Sequence, residues 1–205
     1  MAKTLVVYYS QSRGNTKKIA REIAFTLGAD LAAIDTVQPY NCSYDELVYG
    51  LSKTETQNKV CPPIKPLDKD PAYYDRIVLG TPTWWYTMAP AVRTFLTETD
   101  LTGKELVLFA THGSWPGHAL ADMKACAKGA KVIAQTDVQF DSTGGDRQET
   151  PMPAVTAWAE KLKKPAIPKR PADSAGGFYF MVDIWLRVCY NRGKIKERKC
   201  NDALY

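Results

Sequence analysis

Seven residues between an apolar run and a helical pattern, Ser10-Gln11-Ser12-Arg13-Gly14-Asn15-Thr16, carry three hydroxyls, two side-chain amides, one guanidinium and one glycine. Hydroxyls and amides are neutral donors suited to an anion. Gly14 lets successive backbone N–H groups converge in a nest. The first turn of a following helix would add unpaired N–H groups and the positive end of its dipole. The stretch therefore reads as an anion-binding loop, or else as a polar strand-to-helix turn capped by Ser or Thr. It matches neither G-x-x-x-x-G-K-[ST] nor G-x-G-x-x-G.

Two further stretches carry flat, apolar side chains. Thr81-Pro82-Thr83-Trp84-Trp85-Tyr86 places three large aromatics in a row. They cannot all face a core from a loop, so at least one is exposed or covers a ligand. Thr111-His112-Gly113-Ser114-Trp115-Pro116-Gly117 adds another indole and one of only two histidines. Such aromatics suit the walls of a site for a planar π-system. The bland alternatives are that the Trp pair packs on the helix after it and that Trp115 is a surface aromatic. His112 either passes a proton or hydrogen bond to a ligand, or is structural. Cys126, among apolar helical residues, reads as buried and inert. No metal cluster, Ser-His-Asp set or catalytic carboxylate pair emerges, so any chemistry belongs to a cofactor.

Stepping outward to the elements, β-type runs occur at Thr4–Tyr9, Leu31–Ile34, Arg76–Gly80, Glu105–Thr111 and Lys131–Phe140. Helical spacing occurs at Asn15–Leu27, Tyr44–Thr56, Pro90–Thr99, His118–Lys128 and Pro153–Lys163, with Pro90 and Pro153 at first-turn positions. Alternating strands and helices predict an α/β protein with a doubly wound, five-stranded parallel sheet. In such sheets ligands bind beyond the carboxyl ends of the strands. The three loops above follow the first, third and fourth strands. Between Val37 and Lys69 a longer excursion ends in the extended "CPPIKPL".

These segments resemble the flavodoxin-like family. "YYSQSRGNTKKIA" is similar to its phosphate loop, "YDRIVLGTPTWWYTMAPAVRTFL" to a third strand and flavin loop, and "LTGKELVLFATHGSWPG" to a fourth strand and second flavin loop. "YNCSYDELVYG" looks like the same subfamily, and the resemblance spans roughly residues 3–163. It implies strand order 2-1-3-4-5 and bound FMN, with the phosphate on Ser10, Gln11, Ser12, Gly14, Asn15 and Thr16. The ring would then lie between Thr81, Pro82, Thr83, Trp84, Trp85 and Tyr86 on one side and Thr111, His112, Gly113, Ser114, Trp115 and Gly117 on the other. Arg13 replaces the usual hydroxyl residue, and counted from Ser10 the loop is one residue longer. Arg13 either pairs with phosphate or, as favoured by loops that bind through neutral donors, points to solvent. Three roles are open: an electron carrier serving a protein partner, an FMN-dependent NAD(P)H oxidoreductase acting on quinones or a similar small acceptor, or a binding module without flavin.

With 205 residues and 45% hydrophobic content, the chain suits one sizeable domain. Its net charge of +5 is uneven. Residues 1–162 hold seventeen Lys/Arg and eighteen Asp/Glu, whereas 163–205 hold ten and four. The expected organisation is a flavodoxin-like domain over 1–163, a linker over 164–177, and an apolar amphipathic helix with a basic tail over 178–205. The apolar part, 178–190, of the stretch 178–199 is too short to span a bilayer. It would self-associate or dock on the domain, lie on a membrane surface, or bind a protein. No nucleic-acid partner is expected. Five dispersed cysteines and an opening without a secretory h-region point to reduced thiols and a cytoplasmic location.

Overall fold

The computed structural model describes residues 2–163 of the chain. The expected tail helix and linker lie outside the described residues. Strand β1 (Thr4–Tyr8) is a continuous apolar run, and its Leu5, Val6 and Val7 have no exposed surface. A strand covered on both faces has no use for polar alternation, which is why it reads as unbroken hydrophobe. It lies between β2 (Asp30–Ala33) and β3 (Arg76–Trp84) in a parallel sheet completed by β5 (Glu105–His112) and β6 (Lys131–Gln139), in the order β2-β1-β3-β5-β6. That is the expected 2-1-3-4-5 order of parallel strands, with one addition. A short strand β4 (Thr87–Met88) pairs antiparallel to the end of β3.

Side-chain alternation splits the core into two layers. Leu5, Val7, Ile77, Leu79, Leu106 and Leu108 pack toward α3 (Pro90–Glu98) and α4 (Ala119–Cys126), meeting Phe95 and Met123. Val6, Tyr8, Val78, Val107 and Phe109 face α1 (Asn15–Leu27) and α5 (Met152–Leu162), meeting Ile19, Ile23, Val155 and Ala159. Helix α1 ends where Gly28 adopts φ 61° and the Gly28 and Ala29 N–H groups bond back to Phe25 and Ala24. This left-handed cap needs a glycine.

Two expectations change. The excursion after β2 is helical from Tyr44, as expected, but Glu46–Leu51 winds as a π-helix before α2 (Ser52–Gln57). Its extended return pairs Val37 N–H with the Pro63 carbonyl and Lys65 N–H with that of Asp35. The stretch read as an aromatic loop after Gly80 is instead strand, then a two-residue hairpin. β3 continues to Trp84, the chain turns at Trp85 and Tyr86, and Trp84 pairs with Thr87. Trp85 has φ 43° and Tyr86 φ 67°. A tight hairpin needs positive φ at both central residues, normally supplied by Asn-Gly. Each L-residue held there costs about 1–2 kcal/mol. Trp85 is held by its own indole: Nε1–H donates to the Val48 carbonyl at 2.6 Å and reaches the Ser52 hydroxyl at 3.2 Å, and Lys53 Nζ stands 5.0 Å above the ring. Tyr86 is 55% exposed, and its hydroxyl makes no hydrogen bond among the described residues. Tyr86→Asn, which tolerates the left-handed region, should therefore raise unfolding stability by about 1 kcal/mol in urea titration. A destabilised variant would show that the phenol ring, not the π-helix and Gly117 contacts, holds the turn.

Candidate functional site

The carboxyl ends of β1, β3, β5 and β6 open onto one cleft of about 530 Å³. Its polar end comes from the loop after β1. Gly14 adopts φ 76° as the N-cap of α1, and Ser12 also has positive φ, 60°. No side chain caps the helix at Gly14 itself. Ser10 Oγ instead accepts the Lys17 N–H at 3.2 Å from outside the helix, leaving its own proton free. Gln11, Ser12, Arg13 and Asn15 line the cleft, whereas Ser10 and Gly14 shape the loop behind it. Thr16 is buried and shares a 2.7 Å hydrogen bond with the Thr111 hydroxyl, which fixes α1 against the end of β5. Arg13 is exposed and makes no ion pair among the described residues.

The aromatic end comes from the β3–β4 hairpin and the loop after β5. Trp84 is wedged edge-on against Tyr9 and Tyr40, with ring centroids 5.8 and 5.5 Å apart. Burial pushes both phenols up from their ordinary pKa, Tyr40 further through its bond to Glu55, so both stay neutral. Trp85 and Tyr86 line the cleft beside Trp84, and Trp115, 69% exposed, faces them from the other loop. The two loops are locked together. The His118 N–H donates to the Tyr86 carbonyl at 2.7 Å, and Gly117, at φ 59°, lies so close that a Cβ would overlap the Tyr86 backbone. Gly117 therefore supports the wall without lining it.

Thr81 and Pro82 stand apart from the cleft. The Thr81 hydroxyl is buried, donating to the Pro82 carbonyl and accepting the Ala89 N–H at 3.0 Å, which ties β3 to the start of α3. Thr111, Gly113 and Ser114 line the cleft with His112. The His112 ring is committed to the protein: Nε2 meets the Asp137 carboxylate at 2.9 Å, and Nδ1 the Gly113 carbonyl at 3.1 Å. It has no ring nitrogen left over for a ligand, which favours its structural reading. Cys126 is half-buried, with Arg93 Nη1 at 3.6 Å from its sulfur.

Sequence reasoning missed two walls. One is the π-helical excursion, which contributes Tyr44, Leu47, Val48 and Ser52. The other is the loop after β6, which contributes Asp141, Gly144 and Gly145. The second had a signal: "DSTGGD" follows the last parallel strand, whose carboxyl end opens on the same crevice. Asn15 Nδ2 donates to the Gly145 carbonyl at 2.8 Å, joining this loop to the one after β1. A Cβ at Gly144 would overlap the Tyr44 hydroxyl, so the excursion and this loop meet over the cleft.

Asp141 organises that loop. Its carboxylate accepts the Thr143 hydroxyl and the N–H groups of Gly145, Thr143 and Arg147, which lower its pKa from 3.8 to about 2. A depressed carboxyl contributes stability that is complete above its unfolded value and lost as pH falls toward its folded one. The loop should therefore loosen between about pH 4 and pH 2, seen as lost amide-exchange protection at Gly145 and Arg147 after correction for intrinsic rates. Asp141→Asn should lack that protection at every pH. Protection unchanged at pH 2 would show the loop is held by something else.

One buried atom points outward from this arrangement. Thr83 Oγ1 lies on the cleft wall, has no accessible surface, and finds no hydrogen-bond partner among the described residues. An orphaned buried hydroxyl costs about 1–3 kcal/mol, so a partner entering the cleft would recover it. A slot with indole and phenol at one end and hydroxyls, amides and a helix N-terminus at the other suits a planar ligand bearing an anion.

Comparisons with known proteins agree with this architecture. A Bacteroides eggerthii protein solved as a flavoprotein is 26% identical, with TM-score 0.66 over 80% of this chain and all of that one. A flavoprotein of Lactobacillus acidophilus, solved in complex with FMN, is 27% identical, with TM-score 0.59 over 67% of this chain and 93% of its own. A Bacteroides uniformis structure, 24% identical with TM-score 0.64 over 79% of this chain and 98% of its own, shares the fold. No curated protein matches. The family model described as flavodoxin matches residues 3–140, and the chain belongs to the flavodoxin family.

Proposed function

We propose that the cleft binds FMN and that the protein transfers electrons through it. The observation that carries this reading is the polarity of one continuous cleft: donor loop and helix N-terminus at one end, aromatic hairpin and Trp115 at the other. The residues present fit the group. Gln11, Ser12 and Asn15, which line the cleft, would hold the phosphate on the loop that Ser10, Gly14 and Thr16 shape behind them, with Arg13 able to add a charge at its rim. Trp84, Trp85, Tyr86 and Trp115 would wall the ring, and the orphaned Thr83 hydroxyl would bond its polar edge. FMN, when bound, supplies reversible uptake of one or two electrons. The chain's own residues orient it, exclude water from one face and, through the Asp141 loop, close over it. The neutral donors leave a net negative phosphate, offset by the helix end and by Arg13 at the rim.

Purified protein should be yellow, or become so with FMN and show a shifted, resolved visible spectrum that bleaches on anaerobic reduction. A colourless protein whose FMN spectrum stays that of the free cofactor would sink the reading. A second version, an FMN-dependent NAD(P)H oxidoreductase acting on quinones, is favoured by one feature: Tyr86 and Trp115 are exposed at the mouth, where a flat acceptor could stack. Direct NAD(P)H oxidation coupled to added quinone would support it. Reduction only by a protein donor would support the carrier.

A further inference from the structure

The outer face of α1 carries Lys17, Lys18 and Arg21, with Arg13 just before it, all exposed. None forms an ion pair among the described residues, and no acidic residue stands in the first turn of the helix. Together with Met152 and Phe25, which is 86% exposed, they line a second concavity of about 580 Å³. Its one carboxylate, Glu22, is engaged by the Thr156 hydroxyl at 2.7 Å. Lys17, Arg21 and Phe25 are four residues apart and so share one stripe of the helix. Against a body of seventeen basic and eighteen acidic residues, this is a local excess of positive charge. Arg13 lines this concavity and the cleft alike, so whatever sits here sits at the rim of the cleft.

We infer that this face docks an acidic redox protein, with Phe25 as an apolar anchor among four cations; the inference rests on the redox reading above. Charge selects the occupant. Residues 163–205, with ten basic and four acidic side chains, would be repelled, and so would a second copy of this face. A lipid surface is flat and would not fill a concavity. In each encounter the partner is oxidised by one electron, which passes to bound FMN. Two encounters deliver the two electrons of full reduction, with protons drawn from water.

The test is stopped-flow reduction of the full chain, saturated with FMN, by reduced plant-type ferredoxin, a strongly acidic one-electron donor. Dithionite, which needs no docking, runs beside it. The ferredoxin rate constant should fall steeply with salt, and about tenfold or more in the Lys17→Glu, Arg21→Glu double variant, the range that steering supplies. Phe25→Ser should lower it several-fold at constant charge. Dithionite, a small anion with no docking surface, should be slowed far less than ferredoxin. Both side chains are exposed, and position 17 lies in the first helical turn, where an acidic residue suits the helix dipole, so the double variant should fold. Ferredoxin that leaves the wild type unreduced, or reduces wild type and variant alike, overturns the docking. Added FMN that keeps the spectrum of the free cofactor overturns the FMN reading instead. Flotation with phosphatidylserine vesicles supplies the last arm: capture lost in the double variant, with ferredoxin rates unchanged, overturns the inference in favour of a membrane.

Discussion

Gly117→Ala is expected to destabilise the fold by about 3 kcal/mol and to weaken FMN binding at least tenfold. Two costs combine. Gly117 has φ 59°, where any L-residue other than Asn or Asp costs about 1–2 kcal/mol. The added methyl would also overlap the Cα, carbonyl carbon and oxygen of Tyr86, and backbone cannot rotate out of the way. The Tyr86 turn is already strained, so the loop after β5 must retreat. That breaks the 2.7 Å bond from the His118 N–H to the Tyr86 carbonyl and separates Trp115 from Trp85 and Tyr86. Urea unfolding and fluorescence titration with FMN would check both halves. Gly117→Asn separates the causes: it tolerates the positive φ but keeps the overlap, so it should lose nearly as much affinity. If Asn restores both quantities, backbone conformation alone sets the requirement for glycine.

What could be read from sequence follows from how local each signal is. β1 and α1 were legible to within a residue, because an unbroken apolar run, Gly14, the spacing of Ile19 and Ile23, and Gly28 all act within a few positions of one another. The β3–β4 hairpin was not, because the residues that permit a tight turn are normally Asn and Gly, and here Trp85 and Tyr86 adopt that backbone under contacts from Val48, Ser52 and Gly117. Those contacts are distant in sequence. The sequence required only that at least one of the aromatic triplet be exposed or cover a ligand; the fold shows that Trp84 packs on Tyr9 and Tyr40 and that Tyr86 protrudes. The donor loop was legible in type; that Thr16 turns inward to Thr111 while Asn15 reaches Gly145 depends on β5 and β6 lying beside it. The missed walls, Tyr44 and the Asp141 loop, are ordinary polar segments whose role arises from meeting across the cleft.

The same reasoning puts the largest stability effect at Gly80, in the middle of the sheet. In register Gly80 lies beside Tyr8 on β1 and Phe109 on β5. A Cβ there would fall on the Phe109 ring, which is fully buried in the layer facing α1 and α5. Gly80→Ala should therefore cost more than 3 kcal/mol, above the usual range of about 1–3 for overpacking, because a ring packed by Ile19, Ile23 and Val155 has no rotamer to adopt without displacing α1. That is a large fraction of a domain's stability of about 5–15 kcal/mol. Phe109→Leu alone should cost about 1–2 kcal/mol for the lost ring volume. The double variant should then be more stable than Gly80→Ala by itself, with a coupling of about 1–3 kcal/mol measured by urea unfolding of all four proteins. Additive costs would mean that the methyl meets something other than the ring. In that case glycine at this position would owe its place to the strand's backbone, and the packing of α1, which carries the donor loop at its N-terminus, would not depend on it.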